Sequence, residues 1–272
     1  MISSIRFLCF TYECFRSFIV SLFSIVAFPF VSRFEQIDQE CSWTHNGELS
    51  FLEILKTARY LETEGNWSQR SDLSQPYSVS GHSTGGRVAL MLGALKDTPS
   101  YLDNVPEIAK ALTPDLRAVV DKIGAVTGNH PDMMYLEKYN PDIAHFNITR
   151  TPTFIVTGSK DTTIEDPFSA WHDFTMISSP DKVFVDVSGA DHSEPIEKHR
   201  CGPFVAYFSR LFALGDETVA NFIYGNASTS IQNTLPIATE GEPNTGDSVV
   251  GFLACRSGKN AVPVKWAKYC RE

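Results

Sequence analysis

The sequence predicts an α/β fold, a mostly parallel sheet flanked by helices, and three observations carry the prediction. Short apolar runs bounded by glycine or proline recur at "PYSVS", "DKIGAV", "TPTFIVTG" and "DKVFVDVSG". Segments of helical period stand between several of them. A glycine turn joins a strand to a helix in "PYSVSGHSTGGRVALMLGAL", from Pro76 to Leu95. Strands that alternate with helices form parallel sheets covered on both faces. A chain of 272 residues, 43% apolar and 20% charged, can bury such a core.

The first 34 residues differ in character from the remainder of the chain. Arg6 and Arg16 precede "FIVSLFSIVAFPFV", fourteen residues from Phe18 to Val31 without a charge. That is short for a membrane span, which needs about 20 residues. Three explanations stay open: the core of a signal peptide, a membrane anchor, or an atypical buried strand. Next, "ELSFLEILKTARYLETE" (Glu48 to Glu64) predicts a helix, because Leu52, Leu55 and Ala58 share a face and Gly65 comes after as a stop. A polar loop to Gln75 leads into "PYSVS", and Gly85 to Leu95 has the composition of a buried helix. Helical or loop sequence from Pro106 to Val119 precedes "DKIGAV". After the two later strands, "RCGPFVAYFSRLFAL" predicts a helix packed by Phe204, Phe208, Leu211 and Phe212. Ser228 to Ser248 is polar and predicts a loop. The segments "SVVGFLAC" and "AVPVKWAKYC" suggest a hairpin around Arg256–Asn260. Such a hairpin would separate Cys255 from Cys270, since bridged Cα atoms lie within about 7 Å; outside it the two are free to pair. The chain thus divides into an apolar segment (1–34), an α/β core (35–225), and a polar loop with a C-terminal extension (226–272).

The formal net charge of −9 argues against a nucleic-acid surface, which needs clustered lysine and arginine. Membrane association is expected only through residues 18–31. Three Asn-x-Ser/Thr sequons, at Asn66, Asn147 and Asn226, and six cysteines favour a secreted or lumenal location over an intracellular one. No Cys-x-x-Cys, phosphate loop, Gly-x-Gly-x-x-Gly or His-Glu-x-x-His occurs, so no metal site or cofactor is expected.

Gly81-His82-Ser83-Thr84-Gly85 matches Gly-x-Ser-x-Gly between a strand and a helix, the setting of a nucleophile elbow. Gly81 and Gly85 remove side chains that would clash across so tight a turn. The helix start offers the N–H of Thr84 to a developing oxyanion. A serine hydroxyl needs a base, and the base needs an orienting acid. Asp161 comes just after the strand "TPTFIVTG", with Asp166 farther along the same loop as runner-up. His192 comes just after "DKVFVDVSG". Of the other histidines, His199 is expected in the next helix, and His82 is expected to point away from the site. The candidate triad is Ser83, Asp161 and His192.

"GHSTGGRVALMLGAL", "TPTFIVTGSKDTTIED" and "VFVDVSGADHSEP" resemble the α/β-hydrolase superfamily. The branch most similar holds cutinase-like and polyester hydrolases, dienelactone hydrolases, chlorophyllase-like enzymes and platelet-activating-factor acetylhydrolase-like enzymes. The resemblance spans roughly Phe51 to Phe222. It implies an α/β-hydrolase fold, hydrolysis of a small-molecule carboxylic ester through an acyl-enzyme, and no cofactor. It also implies Ser83 as nucleophile, His192 as base, Asp161 as its orienter and Thr84 as one oxyanion donor. Two departures stand out. Residues 1–47 are too few for the family's usual opening strands and lack its His-Gly or Pro-Gly pair, so those strands are expected to be missing or altered. The second oxyanion donor, which the family places on a loop after an early strand, is then in question. A non-catalytic or truncated protein of this fold is the alternative function. "GNHPDM" stands where polyester hydrolases carry a tryptophan, with His130 near that position, so polymer hydrolysis is not supported.

Overall fold

One sheet runs through the molecule in the computed structural model, which describes residues 5–10, 24–27, 46–64, 74–103, 106–132, 147–163, 167–239, 251–256 and 270. Its strands are β1 (Ile5–Phe10), β2 (Ser24–Ala27), β3 (Tyr77–His82), β4 (Ile123–Asn129), β5 (Thr153–Gly158), β6 (Lys182–Val187) and β7 (Phe252–Cys255). They lie in the order β2-β1-β3-β4-β5-β6-β7. The first six pair in parallel; β7 alone is antiparallel, against β6. The molecule is therefore α/β, with a mostly parallel sheet flanked by helices.

The helices are α1 (Asn46–Thr63), α2 (Thr84–Asp97), α3 (Pro106–Ala111), α4 (Pro114–Asp121), α5 (Pro167–Met176), α6 (Glu194–Glu197), α7 (Gly202–Leu214), α8 (Ala220–Tyr224) and α9 (Ile231–Thr234). Two apolar layers cover the sheet. On one face, Ile54 and Leu55 of α1, Leu90 of α2 and Val119 of α4 pack with Val79, Val126, Ile155 and Phe184. On the other, Phe204, Phe208 and Leu211 of α7 pack with Phe154, Val156, Val183 and Val185. Neighbouring residues of β5 and β6 thus serve opposite layers, as the two-residue period of a strand requires. All six residues of β3, of β5 and of β6 are buried. Each fully buried Val, Leu, Ile or Phe contributes about 1.5–3 kcal/mol, which makes these central strands a stiff platform for the loops at their ends.

Both flanking segments enter the sheet, so the α/β core is not confined to residues 35–225. The opening is not devoid of strands, since β1 and β2 lie on the far side of β3. Within the Phe18–Val31 run, residues 24–27 form a strand, and no described helix is long and apolar enough to cross a membrane. At the other end, β7 pairs with β6, and Cys255 is bonded to Cys270 with their Cα atoms 5.3 Å apart. That bond joins the two cysteines that the suggested hairpin would have kept apart; residues 257–269, its second half, lie outside the described residues. The loop expected from Ser228 onward contains the short helix α9, whose Ile231 is buried, and a bridge from Ile237 to Val187.

Candidate active site

The C-terminal ends of β3, β4, β5 and β6 lie side by side, and each delivers one residue of a polar cluster. Loops at this end of a parallel sheet are where ligands of α/β proteins bind.

Strand β3 delivers Ser83, whose backbone has φ 56° and ψ −125°. A non-glycine residue there is strained, at a cost of about 1–3 kcal/mol unless neighbours over-determine it. They do. The Ser83 N–H donates to the Asn129 carbonyl at 3.0 Å, and the Ser83 carbonyl accepts from the N–H of Arg87 and of Asp132, both at 3.2 Å. The turn is tight enough that a Cβ on Gly81 would stand 2.1 Å from the Gly85 carbonyl oxygen. Thr84 opens α2, so its N–H belongs to the first turn, which has no partners within the helix. The buried Arg87 guanidinium, on the same helix, meets the Asp132 carboxylate at 3.3 Å and ties the loop after β4 to the elbow.

Strand β4 delivers His130. Its φ is 46°, also left-handed, and its N–H donates to the Val156 carbonyl at 2.7 Å. The side chain is wholly buried. Its ring crosses the end of β5 at Gly158, where a Cβ would lie 2.7 Å from His130 Cε1 and 2.5 Å from the Ala190 carbonyl oxygen. Only glycine leaves that passage open.

Asp161 lies three residues beyond β5 and is fully buried. Its Oδ2 accepts from His130 Nδ1 and from His192 Nδ1, each at 2.8 Å. Its Oδ1 accepts from the Thr163 N–H at 3.1 Å. Burial pushes this carboxyl up, but the two imidazole donors, first His130 and then His192, hold it well below the usual carboxylate range. Asp161 is thus a buried carboxylate kept charged by hydrogen bonds.

His192 lies five residues beyond β6. Its side chain is 18% exposed, against none for Asp161 and His130, so of the three it is the one with access to solvent. The loops after β5 and β6 are laced together: Gly189 N–H donates to Ser159 Oγ at 2.8 Å and Lys160 N–H to the Ala190 carbonyl at 2.8 Å. The His192 carbonyl accepts from His82 Nε2 at 2.7 Å, and the two rings sit 4.5 Å apart. Nε2 of His82 is therefore its protonated nitrogen. Burial, with repulsion from His192 and His130, pushes the His82 imidazole down to about 4.

The structure thus brings Asp161 and His192 together; Ser83 follows His82, whose ring lies against His192, and among the described residues no hydrogen bond joins the Ser83 hydroxyl to His192. Two expectations are corrected. His82 points toward the site, because the strand's alternation carries it to the His192 loop. His199 sits in a turn between α6 and α7 with φ 54°, not in the helix. Asp166 lies outside the described residues, as do residues 11–23 after β1, and with them any second oxyanion donor on that loop.

His130 joins the cluster without having been expected there. Its one signal in the sequence is "GNHPDM" at the end of a central strand, which reads equally well as a plain turn. His130, Asp161 and His192 each place one nitrogen or oxygen within 4.8 Å of the others, the only such group among the described residues. Both nitrogens face a single oxygen at 2.8 Å, the distance of an N–H···O bond. A metal ion ~2.0–2.1 Å from each of these two nitrogens would have to replace both of those protons, so the Nδ1 atoms are arranged as hydrogen-bond donors to Asp161.

No protein-family model matches the chain, and no curated protein matches it.

Proposed function

We propose that the protein is a serine hydrolase of the α/β-hydrolase fold that cleaves carboxylic esters through an acyl-enzyme. The observation that carries this reading is a strained serine, Ser83, just past the end of β3, in a sheet whose β5 and β6 ends carry a 2.8 Å Asp161–His192 hydrogen bond.

In this reading Ser83 Oγ attacks the ester carbonyl as its proton passes to His192 Nε2. Asp161 holds the Nδ1–H of His192, which leaves the lone pair on Nε2 and stabilises the imidazolium that forms. The N–H of Thr84 donates to the carbonyl oxygen as it becomes an oxyanion. His192 returns the proton to the leaving alcohol, and the acyl group is now on Ser83. Water then attacks that acyl group, His192 takes its proton, and the acid leaves as the proton goes back to Ser83. The steps use no cofactor. The 18% exposure of His192 supports the role, because a base must meet substrate and water.

Labelling with a fluorophosphonate probe tests the proposal. Wild type should label and Ser83→Ala should not. Equal labelling, or none in either, would sink it and leave a non-catalytic protein of this fold. As part of the same proposal we place the protein in the secretory route; the bonded Cys255–Cys270 pair and exposed Asn147 and Asn226 support that.

A further inference from the structure

We propose that His130 is a positioning residue that weakens the hold of Asp161 on the His192 imidazolium by sharing the same carboxylate oxygen. The inference rests on the hydrolase reading above. An orienting carboxylate that serves one imidazole gives that imidazole all the lone-pair density of its oxygen. Here Oδ2 accepts two N–H groups at the same 2.8 Å, and Oδ1 is engaged by Thr163. Each added donor withdraws charge from the carboxylate. His192 therefore shares the oxygen that orients it with a second donor.

The arrangement is built. His130 is wholly buried, takes a left-handed φ of 46°, and lies across the glycine that ends β5. The loop that carries it is fixed by the Arg87–Asp132 pair and by the Asp132 N–H on the Ser83 carbonyl. Other titratable groups face His192 from each neighbouring element. From β3 comes His82, whose Nε2–H is spent on the His192 carbonyl. On its own loop, Asp191 turns its carboxylate to Ser193, and Glu194 is paired with Arg200. None of these groups has a hydrogen bond to Asp161 among the described residues, which leaves His130 as the competitor of His192.

The sign of the effect is fixed by this sharing. Removing the N–H of His130 gives Oδ2 wholly to His192 and makes His192 a stronger base. His130→Asn keeps a short, neutral N–H donor near the place of Nδ1 and tolerates a left-handed backbone; His130→Phe keeps a ring and loses the donor. The proton-binding constant of His192, tracked by NMR of its ring, should rise three- to tenfold in His130→Phe, about 0.5–1 pH unit, and stay near wild type in His130→Asn. The acid limb of kcat/KM for p-nitrophenyl acetate should move to higher pH by the same amount in His130→Phe alone. A purely structural role would lower activity or stability and move neither titration.

Coincident titrations in the Phe variant and wild type would overturn the proposal, as would equal shifts in Phe and Asn. If the Phe variant does not fold, the wild-type spectrum decides: the Nδ1–H of His130 must be present and must move as His192 titrates, and a resonance that is absent or static overturns it. The ring titration needs no turnover. A loss of hydrolysis and of labelling in every protein would therefore refute the hydrolase reading while leaving the coupling separately decided.

Discussion

His82 Nε2 donates to the His192 carbonyl at 2.7 Å, so the residue before the elbow serine grips the peptide of the proposed base. Ser83 and His192 follow strands separated by β4 and β5, and this bond ties the residue before Ser83 to the His192 peptide across them. A buried hydrogen bond of this kind is worth about 0.5–1.5 kcal/mol, and misplacing a base costs activity as well. His82→Leu should lower kcat/KM about tenfold. His82→Gln, whose amide nitrogen reaches the place of Nε2, should recover most of it. Steady-state kinetics on a short-chain ester measures both; a Leu variant with wild-type kinetics would show that the bond positions nothing.

The same histidine makes stability depend on pH. Its folded-state value, about 4, lies below the ~6.5 of an exposed histidine. Between these values the unfolded chain binds a proton that the folded chain refuses, so stability rises with pH across this window and falls as pH drops through it. The loss from pH 6.5 to 4 is about 3 kcal/mol for a difference of this size. Asp161, held low, adds its own loss as pH falls below the ~3.9 of an exposed aspartate. Urea titrations at pH 7 and pH 4.5 should show the drop in wild type and a clearly smaller one in His82→Gln. Equal drops in the two proteins would assign the effect elsewhere.

Ser83, the proposed nucleophile, has a strained backbone. At φ 56° a glycine is unstrained, so Ser83→Gly should gain about 1 kcal/mol and raise Tm by roughly 2–4 °C while abolishing labelling. Gly81→Ala should do the opposite, because its Cβ would fall 2.1 Å from a backbone oxygen with nothing flexible to move. Thermal melts of the two variants together check the elbow: a Ser83→Gly protein less stable than wild type would mean that the hydroxyl matters more than the backbone.

Much of this is legible in the sequence, for reasons that are physical. Buried parallel strands are apolar runs, and β3, β5 and β6 begin within two residues of the predicted runs. The elbow glycine is legible because a steric demand leaves a residue-type mark. His130 is not. A histidine after a strand carries no mark of what its ring touches, and its link to Asp161 joins residues 31 apart. The orientation of His82 escapes the sequence because β3 extends two residues past "PYSVS", which puts its side chain on the site's side. The Cys255–Cys270 pairing is hidden because β7 finds its partner in β6, distant in sequence.

The first strands are ambiguous for a related reason: an apolar run of fourteen residues fits a signal peptide and a strand equally. The two make opposite predictions for a chain lacking residues 1–34. In the sheet, β1 pairs with β3 from Phe7 to Phe10, and β2 lies outside β1. Deleting both would turn β3, buried along its whole length, into an open edge at the strand that carries Ser83. The truncated protein should be aggregated or should unfold in less urea than the full chain. A soluble truncated protein with unchanged stability and full labelling would show that the strands are dispensable.

Asn147 and Asn226 are exposed, and both stand in Asn-x-Ser/Thr sequons; Asn66 lies outside the described residues. The disulfide closes a loop of 15 residues, a length for which the entropy of the unfolded chain alone gives about 3 kcal/mol. Cys201, by contrast, is buried, and burial pushes its thiol up, which makes it inert toward exchange. A protein made in the secretory route should therefore lose mass on glycosidase treatment. Its digest without reductant should contain a peptide linking Cys255 to Cys270, with Cys201 alkylated only after unfolding. A reducing compartment would leave both cysteines as thiols and both asparagines bare. Recovery of that form alone from a eukaryotic host would overturn the secretory assignment, and the pairing of Cys255 with Cys270 would then add nothing to stability in the cell.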